Sequence, residues 1–253
     1  MPTLFITGGA TGIGRATAKK FIQRQWNVAF MDLNAEESWS LLRETDARER
    51  LLFVEGDTRI RENIRNAVDQ TLSHFGTLDS VFANAGIHRS NTLLSISDEE
   101  LHLMINTNIY GTVNTLRETV PALIQAGGGS IVINCSDQWF IGKPNNFAYG
   151  LTKGALGQIT RSLSIDLAPH RIRVNAVCPA SIHTPLLDKA LLLSSQRNNI
   201  PLERLYTEEN ADYARGVMGT PEEVASLVYF LASPESSFCT GAHYLVDGGL
   251  VAK

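Results

Sequence analysis

Seven short apolar runs rich in β-branched residues alternate along this chain with longer segments of helical period: LFIT at 4–7, NVAFMD at 27–32, LLFVEGD at 51–57, LDSVFAN at 78–84, SIVINCS at 130–136, RIRVNAVCP at 171–179 and AHYLVDGG at 242–249. This alternation constrains the fold strongly. Strands separated by helices pair in parallel, and right-handed crossovers then place helices on both faces of the sheet. The expectation is an α/β chain with a seven-stranded parallel sheet and helices near 12–25, 35–47, 60–75, 98–126 (whole or broken), 147–168 and 221–232. Residues 184–219 break the pattern, being polar, mixed in period and longer than an ordinary connection. They read as a substrate lid over the carboxyl ends of the strands.

With 253 residues, 43% hydrophobic and 19% charged, the chain has enough apolar material for one domain spanning 1–253. The formal net charge of −4 comes with no basic cluster, so nucleic acid is not an expected partner. No stretch approaches the ~20 apolar residues of a membrane span. The first residues enter a strand without a charged and then apolar leader, which predicts a cytoplasmic protein with no membrane partner. Three cysteines, Cys135, Cys178 and Cys239, sit among small or apolar neighbours. They read as buried free thiols in a reducing compartment.

The first strand runs into Gly8, Gly9, Ala10, Thr11, Gly12, Ile13 and Gly14, and a helical segment follows. Glycines there permit positive φ and close backbone approach, so that amides and a helix N-terminus can face a pyrophosphate. Asp32 ends the next strand, where a carboxylate accepts from ribose hydroxyls and repels a 2′-phosphate. Arg15 falls nearer the turn than the ribose, and Leu33 is uncharged. The arrangement predicts a doubly wound, Rossmann-type domain that binds NAD. Asp57, at the end of the third strand, suits either the adenine edge or a strand-end cap.

Tyr149 and Lys153 stand four apart in a segment of helical period, so both lie on one face. A tyrosine can protonate an alkoxide or take an alcohol proton, but its free pKa of roughly 10 keeps it protonated at neutrality. Lowering it to near 7 takes about 4 kcal/mol, comparable to one positive charge ~4 Å away at an effective dielectric near 20. Lys153 can supply that charge. The pair alone is equally compatible with an ordinary amphipathic helix surface.

Further motifs stand at matching places. Asn84-Ala85-Gly86 ends the fourth strand, Asn108 opens Asn108-Ile109-Tyr110-Gly111, and Ser136 stands thirteen residues before Tyr149. Pro179-Ala180-x-x-x-Thr184 follows the sixth strand, and Thr220 to Ala225 and Thr240-Gly241 through Asp247-Gly248-Gly249 close the chain. With Thr7-Gly8-x-x-x-Gly12-x-Gly14 and Tyr149-x-x-x-Lys153, these make a chain that resembles the short-chain dehydrogenase/reductase family over nearly its whole length.

The resemblance implies an NAD-dependent enzyme that interconverts a secondary alcohol and a ketone. Tyr149 would be its general acid/base, Lys153 would bind the nicotinamide ribose and lower the tyrosine pKa, Ser136 would hydrogen-bond the substrate oxygen, and Asn108 would hold a relay water. The cofactor would lie against Gly8, Gly12, Ile13, Gly14, Asp32, Asp57, Asn84, Tyr149, Lys153, Ile182 and Thr184. Two departures from the family pattern are Ala180 in place of glycine and Asp137-Gln138-Trp139 in place of small residues after the serine. A catalytically silent NAD-binding sensor or scaffold is the alternative, and the intact Asn108, Ser136, Tyr149 and Lys153 set argues against it.

The family's pocket wall corresponds to Gln138 and Trp139, Asn145 and Asn146, His88 and Arg89, and Ile182, His183, Leu186 and Leu187. His88, Gln138, Asn146 and His183 are the candidate substrate contacts, and their polarity points to a polyol, sugar or hydroxy acid. The histidines have no metal-ligand spacing, so no metal is expected. The resemblance also implies a homodimer or homotetramer built through the Tyr149 helix, on which Gly150, Gly154 and Gly157 suit close packing against another helix or the sheet.

Overall fold

The computed structural model describes residues 1–253. Seven parallel strands form one sheet in the order β3-β2-β1-β4-β5-β6-β7: β1 (Thr3–Thr7), β2 (Asn27–Asp32), β3 (Leu51–Glu55), β4 (Ser80–Ala83), β5 (Gly129–Asn134), β6 (Ile172–Pro179) and β7 (His243–Val246). The strands alternate their side chains between two apolar layers, as the period of two requires. Phe5, Met31, Val81, Ile131 and Val174 point into one core. Leu4, Ile6, Val28, Phe30, Phe82 and Val132 point into the other.

The first core is covered by α3 (Arg61–Phe75), α5 (Gly111–Gln125) and α6 (Phe147–Asp166), through Ile64, Val68, Leu123 and Leu156 among others. Helices α1 (Gly12–Gln23), α2 (Ala35–Glu44) and α9 (Pro221–Ala232) cover the second, through Phe21, Leu41, Val228 and Leu231. Chain order reverses at the β1–β4 neighbours, where Thr7 is in register with both Met31 and Ala83. The turn after β1, Asp32 and Asn84 are thereby delivered to one edge, the crevice where open α/β sheets bind ligands.

Two segments sharpen the expected outline, and one cysteine departs from it. The 98–126 helix is α4 (Asp98–Met104) and α5 joined by a π-helical stretch, Ile105–Tyr110. Asn108 lies within that stretch and is buried, as befits a segment type that recurs at functional sites. The 184–219 segment holds two helices, α7 (Pro185–Asn198) and α8 (Leu202–Ala211), the first capped by Thr184. Cys239 is only half-buried, whereas Cys135 and Cys178 are buried, and all three are free. No helix is long and apolar enough to cross a membrane.

The glycines of α6 turn out to be unlike one another. A Cβ on Gly157 would come within 2.4 Å of the Trp139 ring, whereas one on Gly154 would meet nothing within 4 Å. Trp139 cannot easily retreat, because its ring lies under Arg161 at 4.9 Å and stacks on His243 at 5.1 Å. Gly157 therefore serves packing within the chain, and Trp139 belongs to this packing rather than to the active cavity. Gly157→Ala is expected to lose about 1–3 kcal/mol to overpacking, more than the ~0.8–1.0 kcal/mol of helix propensity it gains. Gly154→Ala, free of any clash, should shift denaturant midpoints the opposite way or leave them unchanged. Equal stability changes in the two variants would contradict this packing.

Candidate active site

The turn after β1 is shaped by steric necessity. Gly8 has φ +70°, and a Cβ on Gly14 would lie 2.0 Å from the Gly8 carbonyl oxygen, so only glycine lets the helix start this close to the strand. Asn84 holds the turn from β4: its Nδ2 donates to the carbonyls of Thr7 (3.1 Å) and Gly8 (2.8 Å), and its Oδ1 accepts from Asn134 Nδ2 at 2.8 Å. Thr11 precedes α1 without a side-chain cap, so no side-chain oxygen of the cap competes for the first-turn amides.

Asp32 closes one end of this groove. Its Oδ2 accepts from Ala10 N and its Oδ1 from Asn34 N, both at 2.9 Å. Each carboxylate oxygen retains acceptor capacity. Arg15 stays beside the turn, where it donates to the Ala10 carbonyl at 3.1 Å, and is tied to α2 through the Glu37 carbonyl at 3.0 Å and Glu44 Oε1 at 2.7 Å. Hydrogen bonds from Lys19, Ser40 and Arg15 hold the Glu44 carboxyl down at about 2. Asp57, just beyond β3, is clasped by Arg59, whose Nε lies 2.8 Å from Oδ2 and whose backbone N lies 2.9 Å from Oδ1. The Arg59 hydrogen bonds keep that carboxyl below its ordinary range. Asp57 lines the groove, with an arginine as its direct partner.

At the carboxyl ends of β4, β5 and β6 lies a cavity of about 300 Å³, lined by Ser136, Tyr149 and Lys153 together with His88, Gln138 and Asn146. This is at the small end of the range typical of small-molecule sites, ~300–1,000 Å³. Ile13, Asn84, Asn134 and Thr184 line both the cavity and the groove, which makes the two continuous. Lys153 Nζ donates to the Asn134 carbonyl at 2.7 Å and stands 5.4 Å from the centroid of the Tyr149 ring. Burial pushes the Tyr149 phenol above its ordinary value, the Asp137 carboxylate and Cys135 push it the same way, and an interaction with Ser136 opposes them. Burial also lowers the Lys153 ammonium. The expected lowering of the tyrosine by Lys153 is therefore absent in the chain by itself: burial and Asp137 raise the phenol, and only Ser136 opposes them.

Asn108 acts from behind. Its Nδ2 donates to the Ile87 carbonyl (3.0 Å) and to Thr152 Oγ1 (3.1 Å), and its Oδ1 accepts from Ile87 N at 2.8 Å. The side chain therefore joins the loop after β4 to α6 and has no amide proton left over. Ser136 Oγ donates to Asp137 Oδ1 at 2.7 Å and accepts from Gln138 N at 3.2 Å.

The pocket residues divide. His88 Nε2 lies 2.7 Å from Asn146 Oδ1, and its ring meets Tyr149 edge-on with centroids 4.9 Å apart. Burial holds His88 below its usual value, so it is neutral at pH 7. Leu186, Leu187 and Ile182 also line the cavity. His183 does not: its side chain is 62% exposed and faces Asp188 at 3.3 Å and Tyr206, outside the cavity lining. The turn that buries Ile182 sends the next side chain outward. Asn145 is also outside the lining, its backbone at φ +56°. Ala180 is not among the residues with positive φ and donates its N–H to the Val246 carbonyl at 3.2 Å, so the missing glycine is absorbed without strain. Lys143, Glu209 and Ser181 were not singled out from the sequence, yet all line the cavity.

Residues 8–251 match a family model described as enoyl-(acyl carrier protein) reductase. The chain is 35% identical over 248 residues to the 3-oxoacyl-[acyl-carrier-protein] reductase FabG of Thermotoga maritima, covering 97% of this chain and 96% of that one. It is 34% identical over 245 residues to the L-fucose dehydrogenase of Mus musculus, covering 96% and 86%. Its fold superposes with a TM-score of 0.89 on the structure of a short chain dehydrogenase family protein from Francisella tularensis, at 32% identity over the full length of both chains. The chain is a short-chain dehydrogenase/reductase.

Among solved relatives, the 3-ketoacyl-(acyl-carrier-protein) reductase of Brucella melitensis, complexed with NADH, gives 28% identity and a TM-score of 0.89 over 99% of this chain and 98% of that one. ElxO with NADP bound gives 27% and 0.89 over 100% and 99%. The short-chain dehydrogenase/reductase site in this chain fits such a dinucleotide on its own geometry. The glycine cradle would be filled by any Cβ, and the buried Asn134 Oδ1, with no hydrogen-bond partner, sits where cavity and groove meet. No group of three His, Cys, Asp or Glu side chains comes together in metal-binding geometry.

Proposed function

We propose that this chain is an NAD-dependent oxidoreductase that interconverts a secondary alcohol and a ketone on a small polar substrate such as a polyol, sugar or hydroxy acid. The observation that carries the reading is the convergence of Ser136, Tyr149 and Lys153 on one cavity that also presents His88, Gln138 and Asn146. The dinucleotide would lie along Gly8, Gly12, Ile13 and Gly14, with Asp32 at the adenine ribose, Asp57 toward the adenine, and Asn84, Ile182 and Thr184 around the nicotinamide end. Bound there, the nicotinamide supplies or accepts the hydride.

The protein's own residues handle the proton and the orientation. Tyr149 takes the alcohol proton in oxidation and returns it in reduction. Lys153 holds the ribose and places a positive charge beside the phenol. Ser136 hydrogen-bonds the reacting oxygen. Asn108 fixes the β4 loop against α6, and its main chain, not its occupied amide, is the part that could hold a relay water. Residues 1–253 would form one dinucleotide-binding and catalytic domain, with 184–219 as its lid. L-fucose dehydrogenase acts, by its name, on a sugar, which supports the polar end of the substrate range.

We assign the protein to the cytoplasm and to a homodimer or homotetramer built through α5 and α6. Ile124, Leu151 and Ile165 on these helices are exposed by 40, 43 and 75%, Tyr110 just before α5 by 54%, and a Cβ on Gly154 would meet nothing within 4 Å. Light scattering at micromolar concentration should give a mass of two or four chains, and a monomer would remove the assembly from the account. An NADH-linked screen of polyols, sugars, hydroxy acids and aliphatic ketones tests the substrate reading. Small polar compounds should lead, and a wide preference for steroid or long-chain ketones would overturn it.

A further inference from the structure

The departure Asp137-Gln138-Trp139 places a carboxylate directly beside the serine. Asp137 is only 1% exposed. Its Oδ1 accepts the Ser136 hydroxyl at 2.7 Å, and its Oδ2 lies 2.8 Å from Lys143 Nζ. That second contact is an ion contact without hydrogen-bond alignment, and Oδ2 has no other partner. Lys143 itself is largely buried in the cavity wall, with a side chain 24% exposed.

We propose that Asp137 and Lys143 form a positioning pair for the reaction: Asp137 fixes the rotamer of the Ser136 hydroxyl, and Lys143 supplies the counter-charge that limits how far the carboxylate opposes proton loss at Tyr149. The inference rests on the functional reading above. A carboxylate accepts only, so the Ser136 proton points at Asp137 and an Oγ lone pair is left for the reacting oxygen. Without Asp137, the only fixed hydrogen bond to that oxygen would be the amide of Gln138. An uncompensated buried carboxylate would, in turn, act against the phenolate through a weakly screened interior.

The charges around Tyr149 come from every side. Lys153 shares its helix, Asp137 and Cys135 approach from the end of β5, and neutral His88 comes from the loop after β4. Cys178 of β6 stands behind Cys135, and Glu209 and Tyr213 face Lys143 from the lid side. Asp137 opposes the phenolate in this set, and Lys143 is its direct counter-ion. Attraction to Asp137 keeps Lys143 above its ordinary value despite burial, so the lysine stays charged across the working pH range.

The test compares pH profiles of kcat at saturating NAD in the parent, Lys143→Met, Lys143→Arg and the double variant Asp137→Asn/Lys143→Met. Lys143→Met should move the acidic limb up by about one pH unit, Lys143→Arg should leave it in place, and the double variant should bring it back toward the parent. A Lys143→Met profile that overlays the parent in position, or a double variant displaced further than the single one, would overturn the proposal. If Lys143→Met does not fold, Asp137→Asn alone decides: its unbalanced lysine should move the limb down, and an unmoved limb would be the contrary result. The ultraviolet phenolate difference between each protein and its Tyr149→Phe counterpart, taken with NAD bound, reads the same shift without turnover. A parent that oxidises no alcohol would therefore defeat the functional reading while leaving this pair separately testable.

Discussion

Tyr149→Phe is expected to lower turnover by about 10² to 10⁴, the usual loss when a general acid/base is removed. The substitution keeps the ring that meets His88 edge-on and lies beside Lys153, so packing and NAD affinity should survive. What disappears is the one hydroxyl in the cavity that stands next to both Ser136 and a buried ammonium. Burial holds the phenol high in the chain alone, so the phenolate absorbance that Tyr149→Phe removes should appear near neutral pH only with the oxidised cofactor bound. Steady-state rates with the best substrate, and NAD binding measured by fluorescence, check both halves. Activity within tenfold of the parent would show that another group moves the proton.

NAD should be preferred over NADP by about tenfold to a hundredfold or more in kcat/KM. A hydrogen bond to a charged group contributes roughly 1.5 to 3 kcal/mol net, and Asp32 retains free acceptor capacity after taking Ala10 N and Asn34 N. The same carboxylate repels a 2′-phosphate. Neither guanidinium at this end of the groove is free to reverse the sign: Arg15 is held by Glu44 at 2.7 Å, and Arg59 by Asp57 at 2.5 Å. Thr11 and Leu33, the flanking positions, are uncharged. Asp32→Ala should weaken NAD binding and relax the rejection of NADP. Equal or better kcat/KM with NADP in the parent would mean that a different group governs the ribose.

Much of this architecture was legible in the sequence because it is written in short-range periodicity. The strand runs, the glycine turn and the i, i+4 spacing of Tyr149 and Lys153 each express one local rule, and the sheet register then brings Gly8, Asp32 and Asn84 together. Features set by contact between distant segments were not legible. The π stretch buries Asn108, whose amide is tied to Ile87 and Thr152 in segments distant along the chain. His183 differs from Ile182 only in which way one turn faces, and no pattern around it signals the outward direction. Trp139 was placed in the pocket wall by its nearness to Ser136, yet the space left by Gly157 draws it beneath α6. Lys143 lies in an irregular loop, and its partner Asp137 was visible only as a departure from small residues. A buried carboxylate requires a counter-charge, and that requirement is the signal that could have led to Lys143.

This cavity is proposed to move a hydride and a proton between NAD and a secondary alcohol. The most direct measurement is NADH formation at 340 nm from a panel of polyols, sugars and hydroxy acids, run in parallel on the parent and on Tyr149→Phe. Clear NADH formation is expected with at least one small hydroxylated compound, and its loss by about a hundredfold or more in the variant, as removal of a general base costs. NAD binding without turnover of any compound, or turnover that Tyr149→Phe leaves intact, would contradict it.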